Sequence, residues 1–472
     1  MKQSKIVSGV KWTALSSLVV VVVQTLQIII VSRFLTKEEF GIASLVLVMS
    51  GFAQIFIDFG ISNALISKKE ISKKEIDGLF WLTLIISFIV FVLFNVLSPL
   101  ISGFYEIKEI GNLIFILSLS ILFSGVSSLY KSLKQRDLDF NYMAVMDVLG
   151  VVIGLIISSL VAYNGGGAYS LIFAICASSC FVSILYIING LSKFGFPKSF
   201  IKKIDLEYYI KFGVFQLGEK FLIYFNSQAD LIIIGKIMNT DIVGTYSIAK
   251  QLSMKISTFF NAVVSRVTLP ILAIAKNDNN KIRLQYINSV SILTFFLAPV
   301  LTLVIINAEF IIKILFGDQW LDVVIILQIM CVYLYFRTVG SPVGALILAF
   351  NKPQFTFYWN LMILVFFPLL VFYFGLKGIK ELCYALVIYS VLIKVPEYFF
   401  LVKKVINLSL YQYFDNFFRS FILSLASTIV LYFLFYTPNF IFNSFIYLFV
   451  YFLFCLFLNK KQIRLIVSLL RN

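Results

Sequence analysis

Apolar runs separated by short polar stretches follow one another along the whole chain. Fourteen of these runs are about 20 residues or longer, the length at which a helix crosses roughly 30 Å of hydrocarbon. They predict membrane-spanning helices at residues 12–34, 40–66, 79–104, 111–131, 143–163, 168–190, 212–236, 242–270, 287–308, 321–349, 355–375, 379–401, 414–436 and 439–458. The pattern therefore predicts an all-α, polytopic membrane protein.

Composition leads to the same class. Hydrophobic residues make up 60% of the chain and charged residues 13%, with a mean hydropathy of +0.98. A globule in water has too little interior to hide this much apolar surface, so the chain is expected in a membrane. The first apolar run follows several lysines, but it is too long for a signal peptide and no small-residue cleavage site follows it. We predict that it is a retained helix.

A segment of the first half recurs in the second half, 203 residues later. Gln27–Gly41 aligns without a gap on Asp230–Gly244. The aligned pairs include Arg33 with Lys236, Leu35 with Met238, Glu38 with Asp241 and Gly41 with Gly244. The same offset places Trp12 on Phe215 and Asp58 on Asn261, so the register extends beyond one apolar run. Duplicated halves are typical of membrane transporters, whose substrate site lies where the halves face each other.

The longest polar stretch, residues 191–211, divides the chain into two parts. Six predicted helices precede it and eight follow, so both halves start from the same side of the membrane. The repeat is therefore predicted to be parallel, related by an axis along the membrane normal. We predict an N-terminal six-helix lobe at 1–190, a linker at 191–211, a C-terminal six-helix lobe at 212–403, and two additional helices with a tail at 404–472.

The net charge of +16 is spread over loops in a way that predicts topology. If the N-terminus is cytoplasmic, the cytoplasmic loops hold most of the lysines and arginines. The outer loops hold few: Lys37, Lys108, Lys313, Lys377 and Lys380. Such a bias follows the positive-inside rule and predicts that both termini and the linker are cytoplasmic. We expect the basic residues to set topology and to contact anionic lipid, with no role in binding nucleic acid.

Catalysis is not expected from this sequence. It contains no histidine and no glycine-rich phosphate loop with its lysine, which argues against nucleotide hydrolysis and histidine-based acid–base chemistry. Membrane glycan polymerases and glycosyltransferases usually need a large hydrophilic or acidic outer loop, whereas the first outer turn here is only Thr36–Glu39. We therefore predict a transporter, with no cofactor and no metal.

Ionisable residues inside the predicted helices are the candidate functional groups. A charge in hydrocarbon costs about 2.5–3.5 kcal/mol on insertion scales, so it usually faces a cavity or a partner. The candidate substrate-binding cations are Lys250, Lys255, Arg266 and Arg337. The candidate groups for ion coupling or pairing are Asp58, Glu219 and Asp230. Further charges within these helices are Asp147, Lys220, Lys394 and Glu397.

Two interpretations of these groups are open. The deep cations can line a cavity that receives an anionic substrate, or Lys250 can pair with Asp230 on the preceding helix. The two are compatible, because an acid partner can neutralise a lysine until substrate arrives. The carboxylates can carry protons or sodium, or Asp58, close to the end of its helix, can cap or pair locally.

Short motifs along the whole chain resemble those of one transporter family. They are Gly9 and Trp12 before the first helix, Leu35–Gly41 (LTKEEFG), Asp58–Ile66 (DFGISNALI), Leu133–Phe140 (LKQRDLDF), Arg266–Pro270 (RVTLP) and Phe316–Trp320 (FGDQW). Their order and spacing in a fourteen-helix chain resemble bacterial polysaccharide exporters. These are the O-antigen, exopolysaccharide and teichuronic acid translocases of the multidrug/oligosaccharidyl-lipid/polysaccharide exporter superfamily.

The resemblance implies two six-helix lobes around a central cavity, two peripheral helices, and alternating access in the bacterial cytoplasmic membrane. It implies that the substrate is an undecaprenyl-pyrophosphate-linked oligosaccharide, with a glycan polymerase and glycosyltransferases of the same pathway as candidate partners. The residues agree independently, since buried lysine and arginine can replace the hydration of a pyrophosphate. The alternatives are a cation-coupled exporter of drugs or metabolites and, from another class, a membrane glycan polymerase or glycosyltransferase.

Overall fold

Helices make up nearly all of the described chain, which contains no strand. The computed structural model describes residues 2–58, 65, 68, 71–198, 203–275, 277–435, 437, 439–460 and 462–463. The side chains of residues 2–8, 10–11, 58, 203–208, 211–212, 215, 262–267, 353 and 435 lie outside this description. The chain divides into two compact units, unit 1 at residues 1–244 and unit 2 at residues 245–472.

Unit 1 is a bundle of long helices. Its elements are α1 (Lys2–Ser32), α2 (Lys37–Asp58), α3 (Lys73–Tyr105), α4 (Glu109–Arg136), α5 (Phe140–Tyr163), α6 (Tyr169–Phe194), α7 (Lys203–Ile237) and the first turn of α8 (Thr240–Ala275). Helix α4 packs along both α3 and α6, α5 packs along α1 and α6, and α2 contacts α4 and α7. Helices α2 and α4 are the most buried of the apolar helices in this unit, whereas α5 exposes much of its surface.

Unit 2 contains the rest of α8 and helices that are more often interrupted. They are α9 (Asn279–Ile306), α10 (Ala308–Leu315), a 3₁₀ turn (Asp318–Trp320), α11 (Val323–Val339), α12 (Ser341–Ala349), α13 (Pro353–Gly375), α14 (Ile379–Leu392), α15 (Lys394–Glu397), α16 (Lys403–Ile406), α17 (Leu410–Val430) and α18 (Phe440–Leu458). Single π-helical turns occupy Tyr398–Val402 and Leu431–Phe435. Helix α9 packs against α11 and α17, and α11 packs against α14.

Polar residues fix where several helices begin. The Ser72 hydroxyl accepts a hydrogen bond from the Glu75 amide at 3.3 Å, and the Glu75 carboxylate accepts one from the Ser72 amide at 2.8 Å. This reciprocal cap starts α3. Asp139 and Asp278 cap α5 and α9 with their carboxylates. Between such ends the helical hydrogen bonds satisfy the main chain internally, as a bilayer requires.

Twelve helical spans in the described part of the chain are long and apolar enough to cross a membrane. They coincide with twelve of the fourteen spans predicted from the sequence. The remaining two, predicted at 212–236 and 242–270, fall on α7 and α8, which are continuous helices of 35 and 36 residues and include positions whose side chains lie outside the description. The all-α, polytopic class is confirmed, and the predicted arrangement in two six-helix lobes and its boundaries remain predictions.

The two copies of the duplicated segment have the same local structure. Helix α2 begins at Lys37, and α8 begins at its equivalent, Thr240. The residue before each helix caps it in the same way. The Thr36 hydroxyl accepts from the Glu39 amide at 3.2 Å, and the Asn239 side-chain carbonyl accepts from the Ile242 amide at 3.2 Å. The sequence repeat is therefore also a repeat of backbone structure.

The duplicated glycines bring the first turns of α2 and α8 into main-chain contact. A Cβ atom on Gly41 would overlap the carbonyl oxygen of Thr240, and one on Gly244 would overlap the carbonyl oxygen of Lys37. Because Lys37 and Thr240 occupy equivalent positions in the repeat, the contact is reciprocal. Only residues without a side chain allow so close an approach.

A surface ion pair ties α7 to the turn after α3. The ammonium group of Lys236, the counterpart of Arg33, lies 2.8 Å from Glu106 Oε1. This hydrogen bond holds the pKa of the Glu106 carboxyl below its usual value. The pair is exposed, so its contribution to stability is small.

Unit 2 buries an ion pair at the point where α14 gives way to α15. Lys394 Nζ lies 2.6 Å from Glu397 Oε2, and the two side chains are 4% and 7% exposed. Gly340, at the junction of α11 and α12, makes room for it, because a Cβ atom there would lie 2.5 Å from Lys394 Nζ. The π-helical turn Tyr398–Val402 follows directly.

Candidate functional site

The four predicted substrate cations differ in their surroundings. Lys250 on α8 is buried, with 3% exposure, and Lys255 on the same helix is half-buried. Arg337, near the end of α11, is exposed and donates from Nη1 to the Tyr333 hydroxyl at 3.4 Å. The side chain of Arg266 lies outside the described residues.

A hydrogen bond joins α8 to α11 beside two of these cations. The hydroxyls of Ser257 and Thr338 are 2.5 Å apart, and both residues are buried. Ser257 follows Lys255 by two residues, and Thr338 directly follows Arg337. The structure therefore brings the Lys255 and Arg337 positions into one region of unit 2.

The three predicted ion-coupling acids do not form one cluster in the described structure. Glu219 is exposed on α7, whereas Asp230, on the same helix, is buried and accepts from the Leu231 amide at 2.8 Å. Eleven residues of helix separate the two by about 16 Å along the axis, so they cannot share one ion. The side chain of Asp58, the last residue of α2, lies outside the described residues. Their role in ion coupling remains a prediction.

Unit 1 contains a polar cavity of about 570 Å³ between α2, α4, α5, α6 and α7. This volume lies within the range of roughly 300–1,000 Å³ that is usual for small-molecule sites. The lining residues are Gln54, Ser124, Ser127, Ser128, Lys131, Ser132, Gln135, Met146, Asp147, Gly150, Val151, Ser178, Ser179, Val182, Ser183, Tyr186 and Lys220. Hydroxyl groups are the most frequent polar groups in this list.

The cavity follows from a polar face on a largely apolar helix. The α4 lining residues recur at intervals of three and one positions, which places them on one side of the helix: Ser124, Ser127, Ser128, Lys131, Ser132 and Gln135. Helix α6 contributes Ser178, Ser179 and Ser183, and the hydroxyls of Ser127 and Ser183 meet at 2.9 Å. The sequence analysis identified two lining residues, Asp147 and Lys220, as charges within helices, but it did not predict a cavity there. The spacing of the α4 serines is the sequence signal that would have found it.

The serine hydroxyls of the lining are mainly hydrogen-bond acceptors toward the cavity. Four of them donate to a main-chain carbonyl oxygen three or four residues earlier in their own helix, at 2.6–3.1 Å: Ser127, Ser128, Ser132 and Ser178. A serine that donates within its helix keeps oxygen lone pairs for another partner. The cavity wall can therefore receive hydrogen bonds from a ligand.

Charged groups supply the complementary donors. Lys131 Nζ lies 3.4 Å from Asp147 Oδ1, with the two side chains 49% and 44% exposed, so the pair is loose. Lys220 on α7 is a further cation of the lining. Lys131 lies in the second half of α4, and Asp147 lies in the first half of α5. The cavity is thus in the part of unit 1 that carries the α4–α5 turn, and it offers both donors and acceptors.

The fold defines a multi-pass, all-α membrane protein with a polar cavity inside a helix bundle. Residues 30–325 match the family model described as polysaccharide biosynthesis protein, and the chain belongs to this family. The resemblance to polysaccharide exporters found in the sequence is confirmed.

Two relatives cover most of the chain. The lipopolysaccharide biosynthesis protein WzxC of Escherichia coli (strain K12) is 24% identical over 431 residues, which are 91% of this chain and 87% of WzxC. The teichuronic acid biosynthesis protein TuaB of Bacillus subtilis (strain 168) is 27% identical over 431 residues, 90% of this chain and 88% of TuaB.

A solved structure of the lipid II flippase MurJ, in an inward closed conformation, has a similar fold. It superposes with a TM-score of 0.78 at 16% identity and covers 95% of this chain and 99% of MurJ. At 16% identity the similarity establishes the fold and does not identify the substrate.

Proposed function

We propose that the protein is a flippase that moves an undecaprenyl-pyrophosphate-linked oligosaccharide, or a related polysaccharide precursor, across the bacterial cytoplasmic membrane by alternating access. The observation that supports this most directly is the match, over nine-tenths of the chain, to relatives named for lipopolysaccharide and teichuronic acid biosynthesis. The fold shared with a lipid II flippase agrees with it. In this proposal the protein is a transporter and catalyses no bond rearrangement.

Removing the protein tests this function. A cell that lacks it should lose its surface glycan and accumulate the lipid-linked oligosaccharide in the cytoplasmic leaflet, because the precursor is made but not moved. Both quantities can be measured by extraction of lipid-linked sugars and by immunoblotting of surface polysaccharide. Surface glycan at the normal level in such a cell would contradict the proposal.

In the proposed mechanism, the cations of unit 2 bind the pyrophosphate. Lys250, Lys255, Arg266 and Arg337 would replace its hydration as it leaves the aqueous phase. Lys255 and Arg337 are the strongest candidates, since the Ser257–Thr338 hydrogen bond places their helices together. Asp58, Glu219 and Asp230 would serve ion coupling or local pairing.

Neutralising either Lys255 or Arg337 is expected to lower export at least about tenfold while folded protein remains in the membrane. Loss of a charge-assisted hydrogen bond of about 1.5–3 kcal/mol accounts for this factor. The measurements are surface glycan and the amount of protein in K255A and R337A cells. Lys377, in the exposed turn after α13, gives the control K377A, which should export normally. Normal export by K255A and R337A at normal expression would exclude the two residues from the transport path.

A cysteine at position 198 is expected to be inaccessible to an impermeant thiol reagent in whole cells. The lysine–arginine asymmetry predicts that the linker is cytoplasmic together with both termini. Labelling of K198C should require permeabilised cells, whereas K377C, in a predicted outer loop, should label in intact ones. The unsubstituted protein, whose five cysteines lie within helices, is the background. Labelling of K198C in intact cells would show that the linker faces outside and that the predicted topology is wrong.

A further inference from the structure

The serine-lined cavity of unit 1 differs in chemistry from the cationic region of unit 2. We infer that this cavity binds the sugar part of the substrate, a polyhydroxylated ligand, and not the pyrophosphate. The identity of the glycan rests on the proposed function, but the choice of ligand class rests on the lining itself.

A pyrophosphate fits this lining poorly. Its oxygens accept hydrogen bonds, and they would meet the serine oxygens whose protons are already given to the main chain. Lys131, one of the two lining lysines, also faces Asp147 at 3.4 Å. A phosphate oxygen that faces one of these serine oxygens would be repelled, and Asp147 adds a negative charge to the wall, so the lining suits a neutral ligand better than a multiply charged anion.

A bare cation fits no better. Sites for hard cations gather several carboxylate and carbonyl oxygens around one point. Among the described lining residues, Asp147 is the sole carboxylate, and Lys131 lies beside it. A cation in the cavity would compete with this ammonium group for the same oxygen.

Sugar hydroxyls match both kinds of group that the wall presents. Each hydroxyl can donate to a serine oxygen and accept from Lys131, Lys220 or a glutamine amide. Met146 and Val151 supply apolar surface for the C–H faces of a sugar ring. The Tyr186 hydroxyl is buried without a hydrogen-bond partner among the described residues, so the wall contains a hydroxyl group that can bond to a ligand.

The test compares two valine variants on helix α6, S178V and S192V. Ser178 lines the cavity, whereas Ser192 is exposed outside it, and both donate to the carbonyl oxygen three residues earlier, at 3.1 and 2.9 Å. The probe is the free oligosaccharide released by mild acid from the lipid-linked precursor of the source cell. Inorganic pyrophosphate is the second probe. Binding to the purified full-length protein is measured as the ligand-dependent rise in Tm.

We expect the free oligosaccharide to stabilise the native protein and S192V equally. S178V should bind it about tenfold more weakly, because valine removes a hydrogen-bond acceptor and fills part of the cavity. Pyrophosphate should have the same effect on all three proteins. The double variant S128A/S178A removes two hydroxyls without adding volume and serves where S178V does not fold.

Three results would overturn the assignment: no stabilisation of the native protein by oligosaccharide, equal stabilisation of S178V and S192V, or a response to pyrophosphate that depends on Ser178. The proposed flippase function fails on a different result, namely normal surface glycan in cells without the protein. Oligosaccharide binding that depends on Ser178 would support the cavity assignment even then.

Discussion

Replacing Lys394 with methionine is expected to lower the free energy of unfolding by about 3–5 kcal/mol, the usual cost of stranding one member of a buried ion pair. Glu397 would keep its charge 7% exposed without the ammonium group at 2.6 Å. For a unit of this size, such a loss corresponds to a fall in Tm on the order of 10 °C. Thermal unfolding of the purified protein in detergent measures it.

The double variant K394M/E397M separates pairing from packing. Because it removes both charges and keeps similar volume, it should recover most of the lost stability. Asp415 and Arg419 on α17 provide the matched control, since they pair at 2.8 Å but are 32% and 36% exposed. R419M should therefore cost less than about 1 kcal/mol. A K394M protein that unfolds at the same temperature as R419M would show that the buried pair contributes little.

Alanine at Gly41 or at Gly244 is expected to destabilise the protein by about 1–3 kcal/mol, the usual cost of overpacking a tight contact. The added methyl group would overlap a main-chain carbonyl oxygen, which cannot move aside like the end of a side chain. Both variants should therefore lower the Tm, and the two should behave alike because the contact is reciprocal.

Gly103 on α3 supplies the control for these glycines. A Cβ atom there would meet nothing within 4 Å, so G103A should be neutral or stabilise the helix by up to about 1 kcal/mol. If G41A and G244A matched G103A in stability and expression, the main-chain contact between α2 and α8 would not be a constraint on the fold.

The sequence predicts the helices well because length and apolarity alone decide whether a segment spans a bilayer. Local chemistry also shows where some begin, as at Ser72 and Asp139, whose side chains cap the main chain. These features need no knowledge of which helix packs on which. Helices α7 and α8 carry charges such as Lys220 and Lys250 within the predicted spans.

The candidate sites depend on packing and are harder to predict. The cavity combines Gln54 with Lys220, which are far apart in the sequence, and its hydroxyls carry no charge that marks them as costly in a membrane. Likewise, nothing in the local sequence of Lys255 points to Arg337. The contact of Ser257 with Thr338, 81 residues away, brings these helices together.

The reciprocal glycine contact has the form of an isologous interface, in which the same patch serves both partners. In a homodimer of an unduplicated half, one mutation at this glycine would alter both sides of the contact at once. After fusion of the halves into one chain, Gly41 and Gly244 are encoded separately and can mutate independently. One side can then change while the other keeps the close approach, so gene fusion permits asymmetry at a contact that a homodimer must keep symmetric.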